Sequence, residues 1–358
     1  MTKLALSALI SLMFASAAIA APVDANGAAP KKHVVKKKHQ ALRVAAADDG
    51  ERVVKRVIKV NGKRKVVYQR VLAAAPAVPT MGDLAGLNHT SDPLDLKSNV
   101  ALVLDQANSE VLFEKNSNIA LPIASITKMM TGLIVVEAKQ DMDEVLTVTD
   151  EDVDREKFSS SRLKVGTQMT RANLLHIALM SSENRAASAL GRNYPGGKPA
   201  FVEAMNAKAR ELGMTDTHYV DSSGLSKMNV ASARDLAKLA MAAYQQPVLR
   251  QYSTDPKAIV ETSNGRPMAF GTTNHLVASP DWAIGLQKTG FINEAGRCLL
   301  MQAVIEGRSV IMVFLDSKGK QSRTADAGRM RKWLEALRPA SLGGSTSAGA
   351  GAAYSTGM

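Results

Sequence analysis

Ser125 and Lys128 stand three residues apart in the stretch Pro122-Ile123-Ala124-Ser125-Ile126-Thr127-Lys128-Met129-Met130-Thr131. If that stretch opens a helix, the spacing sets both side chains on one face, one turn apart. A serine hydroxyl is a weak nucleophile and needs a base within hydrogen-bond reach. Lysine is such a base only when neutral. Moving its pKa from about 10.4 to near 7 takes about 4 kcal/mol, which burial and a second nearby cation can supply. A serine amide at a helix N-terminus would also stabilise an oxyanion. Alone, this pattern is weak and reads more readily as a capped amphipathic helix.

Two further clusters offer complementary chemistry. Ser182-Glu183-Asn184 falls in a turn between helical patterns, where a hydroxyl and an amide can relay a proton and hold a substrate amide. Lys288-Thr289-Gly290 closes a strand candidate; the lysine offers a cation and the threonine a hydroxyl for a carboxylate, while glycine allows a ligand to lie close. Strict alternation sends Thr289 to the face opposite Lys288, which leaves open how both serve one cleft. Each cluster alone also reads as ordinary turn or strand-end composition. In this order, with Ser125, Ser182 and Lys288 spaced 57 and then 106 residues apart, they support one another.

The elements that must position these groups are mixed. Asn99 to Leu104 and Val111 to Phe113 read as one hairpin, Cys298 to Ile305 and Val310 to Leu315 as another, and Trp282 to Gln287 as a further strand. Helical patterns cover Ser125 to Ala138, Asn173 to Met180, Arg185 to Leu190, Phe201 to Leu212, Ser232 to Tyr244 and Ala325 to Leu337. Strands at both ends around a helical middle predict an α+β body with an inserted helical region.

The chain has 358 residues, 46% of them hydrophobic, and a net charge of +12. That composition excludes collagen-like, coiled-coil and disulfide-scaffold classes. Between Lys31 and Val71 there are 14 Lys and Arg against three acids, so +11 of the charge sits in this leader and the body is nearly neutral. Residues 1–20 read as a secretory signal, with Lys3, an apolar run from Leu4 to Phe14 and Ala-Ile-Ala at 18–20. Residues 21–92 are expected to be a basic linker, largely without fixed structure, apart from a hairpin signature at Asn61-Gly62. The folded domain is expected over 93–338, followed by a disordered Gly/Ala/Ser-rich tail over 339–358. A periplasmic location follows from the signal, and the leader would tether the body to an anionic envelope surface.

Residues 95–337 resemble the low-molecular-mass penicillin-binding proteins of the D-alanyl-D-alanine carboxypeptidase/endopeptidase family. Beyond the three clusters, the likeness rests on Met205-Asn206-Ala207-Lys208-Ala209, Leu212-Gly213-Met214 and Ser223-Gly224-Leu225. Met180 to Ala187, Tyr194-Pro195-Gly196-Gly197, Thr273-Asn274-His275-Leu276, Phe291 and Ala295-Gly296-Arg297-Cys298 look most like the endopeptidase branch, which cuts peptide cross-links in peptidoglycan. The resemblance implies a β-lactamase/DD-peptidase-like α+β fold, an antiparallel five-stranded sheet with helices on both faces. It implies a serine acyl-enzyme hydrolase that needs no cofactor or metal, acts on peptidoglycan and is inhibited by β-lactams. Carried over, Ser125 is the nucleophile, Lys128 its base, Ser182 a proton relay, and Asn184, Lys288, Thr289 and Gly290 bind substrate. The amides of Ser125 and Phe291 form the oxyanion hole. Arg323 is a weaker match to a carboxylate partner. The second β-rich domain and amphipathic anchor of many carboxypeptidases have no counterpart after Trp333.

A class A β-lactamase needs a deacylating carboxylate in a Glu-x-x-x-Asn-like stretch, and no glutamate between Ser182 and Lys288 has asparagine four positions later. A carboxypeptidase that removes a terminal D-Ala shares the mechanism and stays open as the alternative. A nucleic-acid binder would interleave cations with stacking aromatics, whereas the basic segment has only Tyr68. The six histidines show no ligand spacing.

Overall fold

The computed structural model describes residues 51–60, 63–72 and 78–337; the signal, much of the leader and the tail lie outside them. The chain divides into two compact units, Met1–Ala75 and Pro76–Met358. In the first, Glu51–Val60 and Lys63–Leu72 pair antiparallel with Val60 opposite Lys63, leaving Asn61-Gly62 as the two-residue link that the hairpin signature predicts. The same register sets Lys59 opposite Arg64. A ladder therefore occupies 51–72, where little fixed structure was expected.

The main strands of the second unit are β1 (Ser98–Asp105), β2 (Val111–Lys115), β3 (Lys257–Glu261), β4 (Pro267–Gly271), β5 (Ala283–Ile292), β6 (Gly296–Ile305) and β7 (Arg308–Ser317), and strands of two or three residues pair elsewhere, Leu121–Pro122 with Val230–Ala231 and Val145–Thr147 with Gln168–Thr170. Its main helices are α1 (Thr127–Glu137), α2 (Arg171–Met180), α3 (Asn184–Arg192), α4 (Gly197–Glu211), α5 (Ala233–Tyr244), α6 (Pro247–Thr254) and α7 (Ser322–Ala336). Five strands form one antiparallel sheet in the order β5-β6-β7-β1-β2, and β3 and β4 form a separate hairpin. Because β7 pairs with β1, the sheet closes the two ends of the domain around the inserted helices.

Alternation along the strands explains why both faces are covered. Val100, Leu102 and Leu104 join a large core with the inserted helices, whereas Ala101 and Val103 join a smaller one with Ala327 and Met330 of α7. In β7, Ile311 and Val313 face the first core and Met312 and Phe314 the second. Helix starts follow local chemistry: Thr170 accepts from the Asn173 amide ahead of α2, and Ser232 from the Asp235 amide ahead of α5.

The folded unit starts earlier than composition indicates. Met81–Leu84 forms a helical turn capped by Thr80, whose hydroxyl donates to Asp316 Oδ2 at 2.8 Å. Asn99 donates to the same oxygen at 2.7 Å, and Asp92 pairs with Lys115 at 2.9 Å with both side chains buried. This segment is held by polar contacts to buried groups rather than by large apolar side chains, so an apolar count misses it. Elements the sequence did not predict include α6, the β3–β4 hairpin and the short strand pairs. Among the described residues, no helix is long and apolar enough to cross a membrane.

Candidate active site

Ser125 lies on a short 3-10 turn, Ala124–Ile126, that leads into α1, so the regular helix starts two residues later than predicted. Ala124 has φ of +48°, a left-handed conformation that costs a non-glycine residue about 1–3 kcal/mol and marks a position fixed by its surroundings. Two glycines clamp this turn. A Cβ on Gly224 would fall 1.9 Å from the Ala124 carbonyl oxygen, and one on Gly290 would fall 2.9 Å from the Ile123 carbonyl oxygen. The glycine of the Lys-Thr-Gly cluster is thus required by the protein's own nucleophile turn; room for a ligand was the sequence-based reason.

Lys128 is completely buried on α1, whose residues from Thr127 to Val135 are all buried. Its Nζ lies 2.9 Å from Ser125 Oγ, 2.7 Å from Asn184 Oδ1 and 2.5 Å from the Ser223 carbonyl oxygen. Burial pulls its pKa down to about 7, against an opposing pull from Asp221 and Glu183. The contact geometry suits the neutral amine. When neutral, its two hydrogens can serve the two acceptors that can only accept, Asn184 Oδ1 and the Ser223 carbonyl, which leaves its lone pair for the Ser125 hydroxyl.

Ser182 also has a left-handed φ, +63°, in the turn between α2 and α3. Lys288 reaches it from β5, donating to Ser182 Oγ at 2.8 Å and to the Thr289 carbonyl oxygen at 2.8 Å. Burial first, then repulsion from Lys128 and Arg323, lowers the Lys288 pKa well below the usual lysine range. An anion placed beside Lys288 would oppose this depression and favour its charged form.

The strand alternation resolves at the sheet edge. Leu286 and Ile292 face the helical core, and Lys288 and Gly290 share their parity. Because β5 is an edge strand, Thr289 can reach the cleft around that edge, and its hydroxyl meets Thr273 Oγ1 at 2.5 Å. Phe291, next along β5, is half exposed with Arg297 stacked on its ring at 4.6 Å. Arg323 donates to the Gly290 carbonyl oxygen at 2.7 Å, so it supports the strand from behind. Burial lowers its pKa to about 10.

Asp221 and Ser159 were not singled out from sequence, and Thr273 was named only within a family-like stretch, with no role. Asp221 Oδ1 accepts from the Ser223 and Gly224 amides, both at 2.6 Å, and Oδ2 from the Ser226 amide at 3.0 Å. It thereby fixes the loop whose Ser223 carbonyl holds Lys128. Ser159 accepts from Asn184 Nδ2 at 2.9 Å, and Thr273 meets Thr289. The turn composition Asp-Ser-Ser-Gly at 221–224 was a readable signal for the first; Ser159 carried none.

A cleft between an edge strand and an inserted helical region, with one serine-lysine pair where α1 begins and a second, Ser182 and Lys288, reaching across from the α2–α3 turn to β5, defines the class: serine hydrolases of the β-lactamase and DD-peptidase fold. The chain belongs to the peptidase S11 family, described as D-alanyl-D-alanine carboxypeptidase, which matches residues 87–319. It is 48% identical over 242 residues to a D-alanyl-D-alanine endopeptidase of Pseudomonas aeruginosa, covering 67% of this chain and 78% of that one. It is 40% identical over 266 residues to one of Escherichia coli, covering 74% and 86%. Among solved structures it resembles ampicillin-bound penicillin-binding protein D2 of Listeria monocytogenes, at a TM-score of 0.59 and 30% identity, covering 68% of this chain and 98% of that one.

Proposed function

We propose that this protein is an exported, penicillin-sensitive serine D-alanyl-D-alanine endopeptidase that hydrolyses peptide cross-links in peptidoglycan. The observation that carries it is the contact of buried, near-neutral Lys128 with Ser125 in a chain 48% and 40% identical to proteins of that name.

In this reading Lys128 accepts the Ser125 proton as Oγ attacks the D-alanyl carbonyl, and the amides of Ser125 and Phe291 hold the oxyanion. Losing one such donor typically costs about 10²–10³ in rate. Collapse of the tetrahedral adduct breaks the C–N bond, and the proton held by Lys128 passes through the Ser182 hydroxyl, backed by Lys288, to the departing amine, which leaves Lys128 neutral again and Ser182 protonated. Lys288 and Thr289 bind the carboxylate on the leaving side, and Asn184 holds the donor peptide and Lys128. Water then enters, Lys128 takes its proton, and the ester to Ser125 is hydrolysed. The signal-like composition of residues 1–20 supports a periplasmic location, and the basic leader at 31–71 would hold the enzyme to an anionic envelope surface. β-Lactams would acylate Ser125 as substrate mimics.

The family description favours a second reading, removal of the terminal D-Ala by the same machinery. Digestion of purified cross-linked peptidoglycan separates the two. The endopeptidase converts cross-linked dimers to monomers; intact dimers with D-Ala lost from monomeric pentapeptides would make it a carboxypeptidase.

A further inference from the structure

A second concavity, of about 420 Å³, opens beside the cleft between the segment Arg162–Gln168 and the β3–β4 turn. Its charged lining is one-signed: Arg162, Lys164 and Arg266, with no acidic side chain, joined by the polar groups of Gln168 and Asn264. All three cations are exposed, and among the described residues no carboxylate pairs with any of them. Arg162 is held over the Phe270 ring at 5.2 Å and donates to the Ala269 carbonyl, so its charge is fixed in place. A Ser263 amide bond to the Gln168 carbonyl, 2.9 Å, ties the two walls together.

Both walls run directly into the catalytic cleft. Three residues before Arg162, Ser159 accepts from Asn184, and Ser161 donates to Glu183 beside it. At about 3.3–3.6 Å per residue, Arg162 lies no more than about 11 Å along the chain from Ser159. From the other wall, β4 leads to Thr273, which bonds both the Met180 carbonyl and Thr289. A chain lying in the cleft thus has one exit flanked by unpaired cations.

We propose that this groove is an accessory subsite that takes carboxylate groups on the peptide arm of the cross-linked substrate, beyond the scissile bond. It rests on the endopeptidase reading for the identity of that substrate, and it explains how an enzyme could favour a long, carboxylate-bearing cross-linked peptide over a short terminal one. Paired charges at the groove fix register and strengthen at low salt.

The test is a cycle of binding measurements on Ser125→Ala protein, which cannot turn substrate over. Its ligands are a purified cross-linked peptidoglycan dimer with free carboxylates and the same dimer after amidation. Amidation weakens binding at every carboxylate, including any at Lys288, so the readout is how the loss changes on Lys164→Glu with Arg266→Glu. The proposal expects the amidation loss to shrink by about three- to tenfold, more at low salt. It expects fluorescent-penicillin labelling of the same double variant with Ser125 intact to keep its native rate. An unchanged amidation loss overturns the subsite. So does an equal shrinkage on reversing Lys332 and Arg210, exposed cations on α7 and α4 outside the groove, since that would report only the net field. Cleavage of the dimer by the native chain is scored separately, so failure of the endopeptidase reading is not mistaken for failure of the groove.

Discussion

A Cβ placed on Gly290 would lie 3.1 Å from the backbone nitrogen of Ser125, and the strand that carries the second lysine therefore sets the position of the nucleophile's amide. The contact couples the two walls of the cleft through backbone alone. Gly290→Ala should push the 3-10 turn away from β5, shifting Ser125 by a few tenths of an ångström. Since small misplacements of reacting groups cost up to about 10²-fold, acylation by penicillin should slow by about 10- to 100-fold. Stopped-flow labelling checks the rate, and thermal unfolding should show a smaller change, because the sheet register is untouched.

Acylation should depend on pH through Lys128. With its pKa near 7, the rate of Ser125 acylation rises as pH passes through about 7 and levels off above it. Asp221 opposes the depression, so Asp221→Asn removes a negative charge and moves the midpoint to lower pH. A pH profile of second-order labelling rates for both proteins measures the shift. Movement of the midpoint to higher pH would contradict this electrostatic role.

Lys128 should also weaken the fold it serves. Its native pKa lies below the unfolded value of 10.5, so between about pH 7 and 10.5 the unfolded chain holds more protons and this group makes stability rise with pH. Below pH 7 both states are charged, and the full desolvation penalty remains. Lys128→Met should therefore be inert toward penicillin yet melt higher at pH 6 by about 4–8 °C, with the gain shrinking toward pH 10. Calorimetry at the two pH values checks both parts.

Removal of residues 31–71 from the mature protein should leave turnover of a small soluble substrate unchanged, because none of the cleft's groups lies there. Association with isolated envelopes should weaken at low salt, and the difference should fade as salt approaches 1 M, where the screening length is about 3 Å. Co-sedimentation across a salt series reads this directly; equal association at low salt would reduce the leader to a spacer.

The chemistry was more legible than its support. Ser125 and Lys128, Ser182 and Asn184, Lys288 and Thr289 come together because their residue types and order carry a recognisable acyl-transfer arrangement. The sheet strands were readable from their apolar alternation, and each extends one to five residues beyond its predicted span at one end or both, because ladder bonds extend beyond the apolar residues that reveal them. Residues 78–92 were misassigned because Thr80 and Asp92 bond to partners more than twenty residues away, which no local pattern records. Thr289 looked misplaced because alternation alone does not show that β5 is an edge strand. Ser159 stayed hidden for a similar reason, acting through one contact with Asn184 made by the tertiary fold, whereas the bonds of Asp221 are local to the 221–226 turn and its composition carried a signal.

The most direct test of the acyl-transfer account is intact-mass and peptide mapping after reaction with a fluorescent penicillin. The account predicts one adduct per chain, on the peptide containing Ser125, and its loss in Ser125→Ala. Stoichiometric labelling that persists in Ser125→Ala would contradict it.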